Sequence, residues 1–198
     1  MSKIPATTRT KEGDFYETPT WALEALLKRE SFEGEVLDPC SGKGAICKVL
    51  EKYGYKVKGS DIQTSDEIYG DKGVDAYSIE KMCDNIITNP PYSTKIGELV
   101  NHFMGIYQRK MALLLRLTFL EGKGRHDMFT THPLKIVYVF SSRVTMYPAD
   151  EEMPDNDGTI AYAWFVWEKG YIGRPTINWI SAEDTYRKQS KKKNKSKK

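Results

Sequence analysis

The strongest constraint on this chain is a rhythm. Short apolar runs end abruptly on a polar or acidic residue, and each is followed by a stretch with helical spacing. Glu35-Val36-Leu37-Asp38 stops at a Pro and a Gly-rich turn, after which Ala45 to Gly54 sets apolar residues three and four apart. Tyr55 to Asp61 reads as a second strand. Asp84 to Thr88 is a third, stopped by Asn89-Pro90-Pro91, and Lys95 to Lys110 then places Ile96, Leu99, Val100, Phe103, Ile106 and Tyr107 on one helical face. A helix from about residue 20 to 30 precedes the series, with Thr a good cap and Pro19 suited to a first turn. Such alternation predicts an α/β chain whose central sheet is mostly parallel and covered on both faces. Met111 to Leu117 and Leu134 to Phe140 are further strands, with a short helix near Arg125 to Thr130 between them. Ile160 to Trp167 is a long aromatic strand entered from a connection too short for a crossover helix, which predicts an antiparallel C-terminal strand beside 134–140.

At 198 residues, 39% of them apolar, the chain suits one domain with a substantial core. The expected boundaries are a flexible N-terminus at 1–13, the domain at 14–182 and a basic, disordered tail at 183–198. No apolar run reaches the roughly 18 residues of a spanning helix, and Met1 to Arg9 shows no leader pattern, so no membrane partner and a cytoplasmic location are expected. Cys40, Cys47 and Cys83 have neither even count nor Cys-x-x-Cys spacing, and His102, His126 and His132 form no ligand pattern. Free thiols and no metal are therefore expected. The net charge of +3 hides an asymmetry: eight of the 30 Lys and Arg lie between Arg187 and Lys198, leaving 22 against 27 Asp and Glu in residues 1–186. An acidic body with a cationic tail predicts contact with a polyanion through the tail.

In a doubly wound sheet, ligands bind beyond the carboxyl ends of the strands, where the order reverses. The first strand ends Asp38-Pro39-Cys40-Ser41-Gly42-Lys43-Gly44. Gly42 and Gly44 allow a turn tight enough for a ligand to touch backbone, but the third Gly of a dinucleotide fingerprint and the Lys-Ser/Thr of a phosphate loop are absent. Asp38 would repel a pyrophosphate and accept from an ammonium. Asp61 ends the second strand, where a carboxylate can take both ribose hydroxyls. An amino-acid cation joined to a ribose points to S-adenosylmethionine.

At the end of the next strand stands Asn89-Pro90-Pro91-Tyr92. With these residues in view, the chain from Phe15 to about Ile180 resembles the amino-methyltransferases, most closely the DNA adenine-N6 methyltransferases of the small phage and prophage type. Tyr16-Glu17-Thr18-Pro19 is similar to that family's upstream cofactor element, Asp38 to Gly44 to its first motif, and Asn89 to Tyr92 to its catalytic motif. The order of the three is that of the gamma-ordered members. The resemblance implies a Rossmann-like class I methyltransferase fold, S-adenosylmethionine as cofactor and DNA as partner. It assigns Tyr16, Thr18, Asp38, Pro39, Cys40, Gly42, Asp61, Ile62, Asp75 and Asn89 to the cofactor, and Asn89, Pro90, Pro91 and Tyr92 to catalysis.

Adenine N6 is a poor nucleophile because its lone pair is delocalised into the ring. The Asn89 side-chain oxygen and the Pro90 carbonyl can accept its two N–H bonds and draw the nitrogen toward sp³ as it attacks. Tyr92 would stack on a base flipped out of the duplex. Asp75 is expected to end a short strand and accept from the cofactor's adenine amine. Tyr147 stands where related enzymes put a second aromatic against the base, with Arg143 nearby; Arg116, Lys123 and Arg125 are further candidates to face phosphates. Tyr162, Trp164, Phe165 and Trp167 read as core.

The tetrapeptide specifies methylation of an sp² amino nitrogen and leaves the substrate open. Glutamine-N5 methyltransferases of release factors and some RNA methyltransferases carry it too. A catalytically silent nucleic-acid-coating protein is the alternative of another class. With about sixteen residues after Ala182, sequence reading would fall to the loops 118–132 and 147–159, to a partner (a specificity partner or a homo-oligomer), or to nothing much. The second loop carries Asp150, Glu151, Glu152, Asp155 and Asp157, which repel phosphates.

Overall fold

The structure is a computed structural model that describes residues 16–92, 95–144, 146–148 and 160–181. The basic tail, the start of the chain and the acidic run lie outside these residues. Eight strands form one sheet. In chain order they are β2 (Glu35–Asp38), β3 (Lys56–Asp61), β4 (Asp71–Lys72), β5 (Cys83–Thr88), β6 (Tyr107–Arg116), β7 (Ile136–Phe140), β9 (Tyr162–Glu168) and β10 (Thr176–Ile180). A separate two-stranded ribbon pairs β1 (Tyr16–Glu17) with β8 (Tyr147–Pro148). The sheet order is β10-β7-β9-β6-β5-β2-β3-β4, parallel throughout except that β9 runs antiparallel to both its neighbours.

Helices α1 (Thr20–Leu27) and α2 (Ala45–Lys52) cover one face, and α3 (Ile96–Ile106) and α4 (His126–Thr131) the other. Alternation along the strands feeds both layers: Ile87 and Leu114 join Leu23, Leu26 and Leu50, whereas Ile86 and Leu113 join Val100 and Phe103. Trp164 anchors α1 by donating from Nε1 to Ala22 O at 2.8 Å. Asn85, fully buried in β5, donates to Glu33 O at 2.8 Å and accepts from Lys110 N at 3.2 Å, tying the central strand to both sides.

The rhythm of strands and helices holds, with local differences. Helix α3 stops at Ile106 and β6 begins at Tyr107, because Tyr107 and Lys110 pair with Cys83 and Asn85 and ladder bonds replace the last helical turn. Thr18 does not cap α1; Pro19 occupies that position with no side-chain cap, and Thr18 is buried. The strand at 162–168 pairs with β7 as expected and with β6 as well, lying between them. Both β10 and the ribbon were unforeseen, since a five-residue edge strand exposed at all but Ile180 and two-residue pairings leave almost no periodic trace.

Candidate active site

The strand order reverses between β2 and β5, and the carboxyl ends of these two neighbours hold Asp38 and Thr88-Asn89. Asp38 is 1% exposed. Its Oδ1 accepts from Cys40 N at 3.3 Å and its Oδ2 from Cys47 Sγ at 3.7 Å. Burial pushes its carboxyl up to about 7, opposed by the nearby Thr88 hydroxyl and the Cys40 amide. Thr88 Oγ1 favours the charged carboxylate electrostatically but lies outside proper hydrogen-bond geometry, so it is buried without a partner, as is Ser60 Oγ. A buried acid with a hydroxyl beside it is a setting that a cationic, polar ligand would satisfy.

Asp61, at the end of β3, closes the glycine turn: Oδ2 accepts from Gly42 N and Oδ1 from Gln63 N, both at 2.9 Å. Each oxygen keeps a lone pair for a further donor. The next residue, Ile62, is 60% exposed, an apolar surface beside the carboxylate. Gly44 has φ +84°, and its open side takes protein rather than ligand: an added Cβ would lie 2.7 Å from Tyr69 Cβ. Tyr69 also donates its N–H to Gly42 O at 2.9 Å, accepts from Ser41 Oγ at 2.7 Å through its carbonyl, and donates its hydroxyl to Glu51 at 2.5 Å. The loop before β4 therefore straps the turn from behind, a role for which the sequence offers no recognisable signal.

Asp75 does not end a strand, since β4 stops at Lys72; its side chain accepts from Tyr77 N at 3.0 Å and caps a single 3₁₀ turn, Ala76–Ser78. It still belongs to this end of the molecule. After burial, the charges of Asp38, Asp61 and Asp75 all push the Cys40 thiol up. Cys83 is pushed up to about 11, first by burial, and no described cysteine is in a disulfide.

Beyond β5, Pro90 is buried and Pro91 exposed. The Tyr92 hydroxyl donates to Asn89 Oδ1 in a short hydrogen bond and approaches Leu114 O at 3.3 Å. Asn89 Nδ2 faces Met146 Sδ at 3.9 Å. Burial, together with Tyr162, holds the Tyr92 phenol well above its ordinary value against the opposing pull of Arg116, so it stays a donor. Its ring packs on Tyr162 at 5.2 Å, and the Arg116 guanidinium lies over it at 5.2 Å. Tyr92 is thus packed inward in this state, with a cation on its ring. Tyr162 is core, as its pattern implies, and also part of this cluster. Met146 and Phe119 were not singled out by sequence, because an apolar residue in a loop reads as packing.

A cavity of about 160 Å³ opens here, lined by Tyr92, Leu115, Arg116, Thr118, Phe119 and Arg125. A wider groove of about 580 Å³ runs between the start of α1 and α2, with Thr18 and Lys48 on its walls. The ribbon sets Tyr16 opposite Pro148 and Glu17 opposite Tyr147, joining the upstream element to the segment after β7. Arg143 is exposed, and nothing described joins it to the Asn89 cluster. Among the described residues no helix is long and apolar enough to cross a membrane.

No protein-family model and no curated protein matches the sequence. Solved structures do resemble the fold. The modification subunit of a putative type I restriction enzyme from Vibrio vulnificus aligns over 92% of this chain with a TM-score of 0.57 at 13% identity, and the chain spans 53% of that subunit's length. A putative RNA methyltransferase from Pyrococcus horikoshii aligns over 77% of this chain and 85% of its own, with a TM-score of 0.55 at 12% identity. An S-adenosylmethionine-dependent O-methyltransferase from Thermotoga maritima aligns over 78% and 66%, with a TM-score of 0.50 at 14% identity. At such identities the likeness speaks to architecture: the chain has the Rossmann-like fold of S-adenosylmethionine-dependent methyltransferases.

Proposed function

We propose that the protein is an S-adenosylmethionine-dependent methyltransferase acting on the N6 amine of adenine in DNA. The observation that carries this reading is the Asn89 amide oxygen at the end of β5, already engaged by an O–H donor, on the strand next to the one that ends in Asp38. An acceptor held ready for a donor is what an amine nucleophile needs.

When bound, S-adenosylmethionine supplies a methyl group activated on a sulfonium. Asp38 would meet its ammonium, Asp61 its ribose and Ile62 its adenine, while Thr18, Cys40, Gly42 and Asp75 border the site. The buried hydroxyl of Thr88, beside Asp38, fits a polar cation there. On the substrate side, an N–H of the amine replaces the Tyr92 hydroxyl on Asn89 Oδ1, and the Pro90 carbonyl takes the second. Held by these two acceptors, the amine nitrogen would take the methyl as the C–S bond breaks, and the methylated amine would then release its extra proton to solvent. Tyr92, freed from Asn89, would offer its ring to the base while Arg116 stays beside it. The architectural likeness to a restriction-enzyme modification subunit and to a putative RNA methyltransferase supports a nucleic-acid substrate, and the basic tail supports a polyanion.

The test is to incubate the protein with methyl-labelled cofactor and unmethylated DNA, RNA and protein in parallel, then identify the modified group. Label in N6-methyladenine of DNA is expected. Label confined to protein glutamine, to RNA or to nothing refutes the assignment.

A further inference from the structure

We infer that the cavity between Tyr92 and Phe119 is a subsite for the phosphodiester next to the reacting nucleotide, gripped by Arg116 and Arg125; this rests on the nucleic-acid reading above and deepens it. Each guanidinium lies on an aromatic face, Arg116 at 5.2 Å from Tyr92 and Arg125 at 4.8 Å from Phe119. Neither meets a carboxylate among the described residues, in a fold where Lys110 and Lys135 both do. Planar, weakly hydrated cations stacked on rings and lacking acid partners suit a tetrahedral oxyanion.

Arg125 is also fixed. Its Nη2 donates to Thr118 O at 3.4 Å and to Glu121 O, and its Nε is buried with no partner. The fold thus leaves part of the guanidinium's donor capacity unused on a residue that lines the cavity. At about 160 Å³ the cavity is below the roughly 300 Å³ at which sites for whole small molecules begin, so it takes a group and not a nucleoside. Tyr92 forms both its wall and the partner of Asn89, which sets the anion within one residue of the amine acceptor. A polynucleotide necessarily carries a phosphate beside every base, whereas a peptide glutamine carries none. Cations interleaved with aromatic platforms are the general solution for holding single-stranded or extruded nucleotides.

The experiment uses the full-length protein and a labelled thymine-tract DNA oligonucleotide with one adenine, with either ordinary linkages or a neutral methylphosphonate on each side of that adenine. Binding is followed by fluorescence anisotropy for wild type, Arg116→Gln, and the double variant Arg116→Gln with Arg125→Gln. The single variant is included because Arg125 holds two loop carbonyls, whereas the Arg116 side chain makes no described hydrogen bond. Wild type should lose tenfold or more in affinity with the methylphosphonates. The double variant should lose as much on the ordinary oligonucleotide and nothing further on the neutral one, with the single variant between them, the non-additivity of groups that meet. An equal methylphosphonate penalty in all three proteins, or no penalty or no binding in wild type, overturns the subsite. Methyl transfer to the adenine is scored in the same samples. Phosphate-dependent binding through the arginines without transfer keeps the subsite and sinks the reaction, and transfer indifferent to both does the reverse.

Discussion

Asn89 and Tyr92 are linked by one hydrogen bond, and their substitutions should separate. Asn89→Ala removes the acceptor of the reacting amine and should cut turnover by two orders of magnitude or more while cofactor affinity stays within severalfold. Tyr92→Phe keeps the ring but frees Asn89 Oδ1, so turnover should be retained or rise, whereas Tyr92→Ala should raise the Michaelis constant for DNA. Steady-state kinetics with single-turnover controls checks both, and near wild-type transfer by Asn89→Ala would exclude the mechanism. Asp38 makes a pH prediction. The folded protein keeps this proton up to about pH 7 whereas an unfolded Asp gives it up near 4, so folding binds a proton between those values. Stability from this group therefore falls as pH rises from about 4 to 7 and is flat above. Affinity for the cationic cofactor should rise over the upper part of the same window, because the ionised acid attracts an ammonium. Urea midpoints and calorimetry across this range test both slopes, and Asp38→Asn should flatten them. These residues were legible in sequence because chemistry sits at strand ends. What could not be read was orientation: that Tyr92 points inward to Asn89, or that Asp61 is spent partly on Gly42.

Elements were legible where periodicity ran long. Strands β2 and β5 and helix α2 fall close to their expected ranges, whereas the α3–β6 junction moved because Tyr107 suits a helical face and a sheet equally well. The end of the sheet opposite Asn89 holds a network that spacing could not show. Glu30, just after α1, accepts from Lys110 at 2.6 Å and from the Tyr138 hydroxyl at 2.9 Å, and Lys135 reaches both Glu30 and Glu168. Its members lie up to 138 residues apart, far beyond any local pattern. Lys135 is pushed up and Glu168 held down chiefly by their mutual hydrogen bond. Glu30→Ala leaves the buried Tyr138 hydroxyl without its acceptor and Lys110 with only Glu168 at 3.6 Å, and should cost about 1–3 kcal/mol in urea unfolding, with activity at permissive temperature unchanged. A change under 0.5 kcal/mol would show the network to be dispensable.

For the whole molecule, the charge asymmetry makes the tail the expected anchor to DNA. Truncation after Tyr186 removes eight cations, so affinity should drop alike for all sequences and the salt dependence should flatten, each lost duplex phosphate contact lowering the log–log slope by about 0.9. A truncated enzyme should still methylate at low salt with unchanged site preference, whereas a coating protein would lose its activity. Titrations from low to moderate salt decide, and an unaltered slope would remove the tail from the interface. The antiparallel position of β9 has another consequence, for the order in which the chain can be completed. Strand β7 touches the sheet only through β9 and β10, both later in sequence. At the ribosome, Ile136–Phe140 must wait, with both edges bare, for residues 162–168 to emerge, an interval on the order of seconds. During that interval the nascent chain would offer an apolar strand with two unpaired edges to any neighbour.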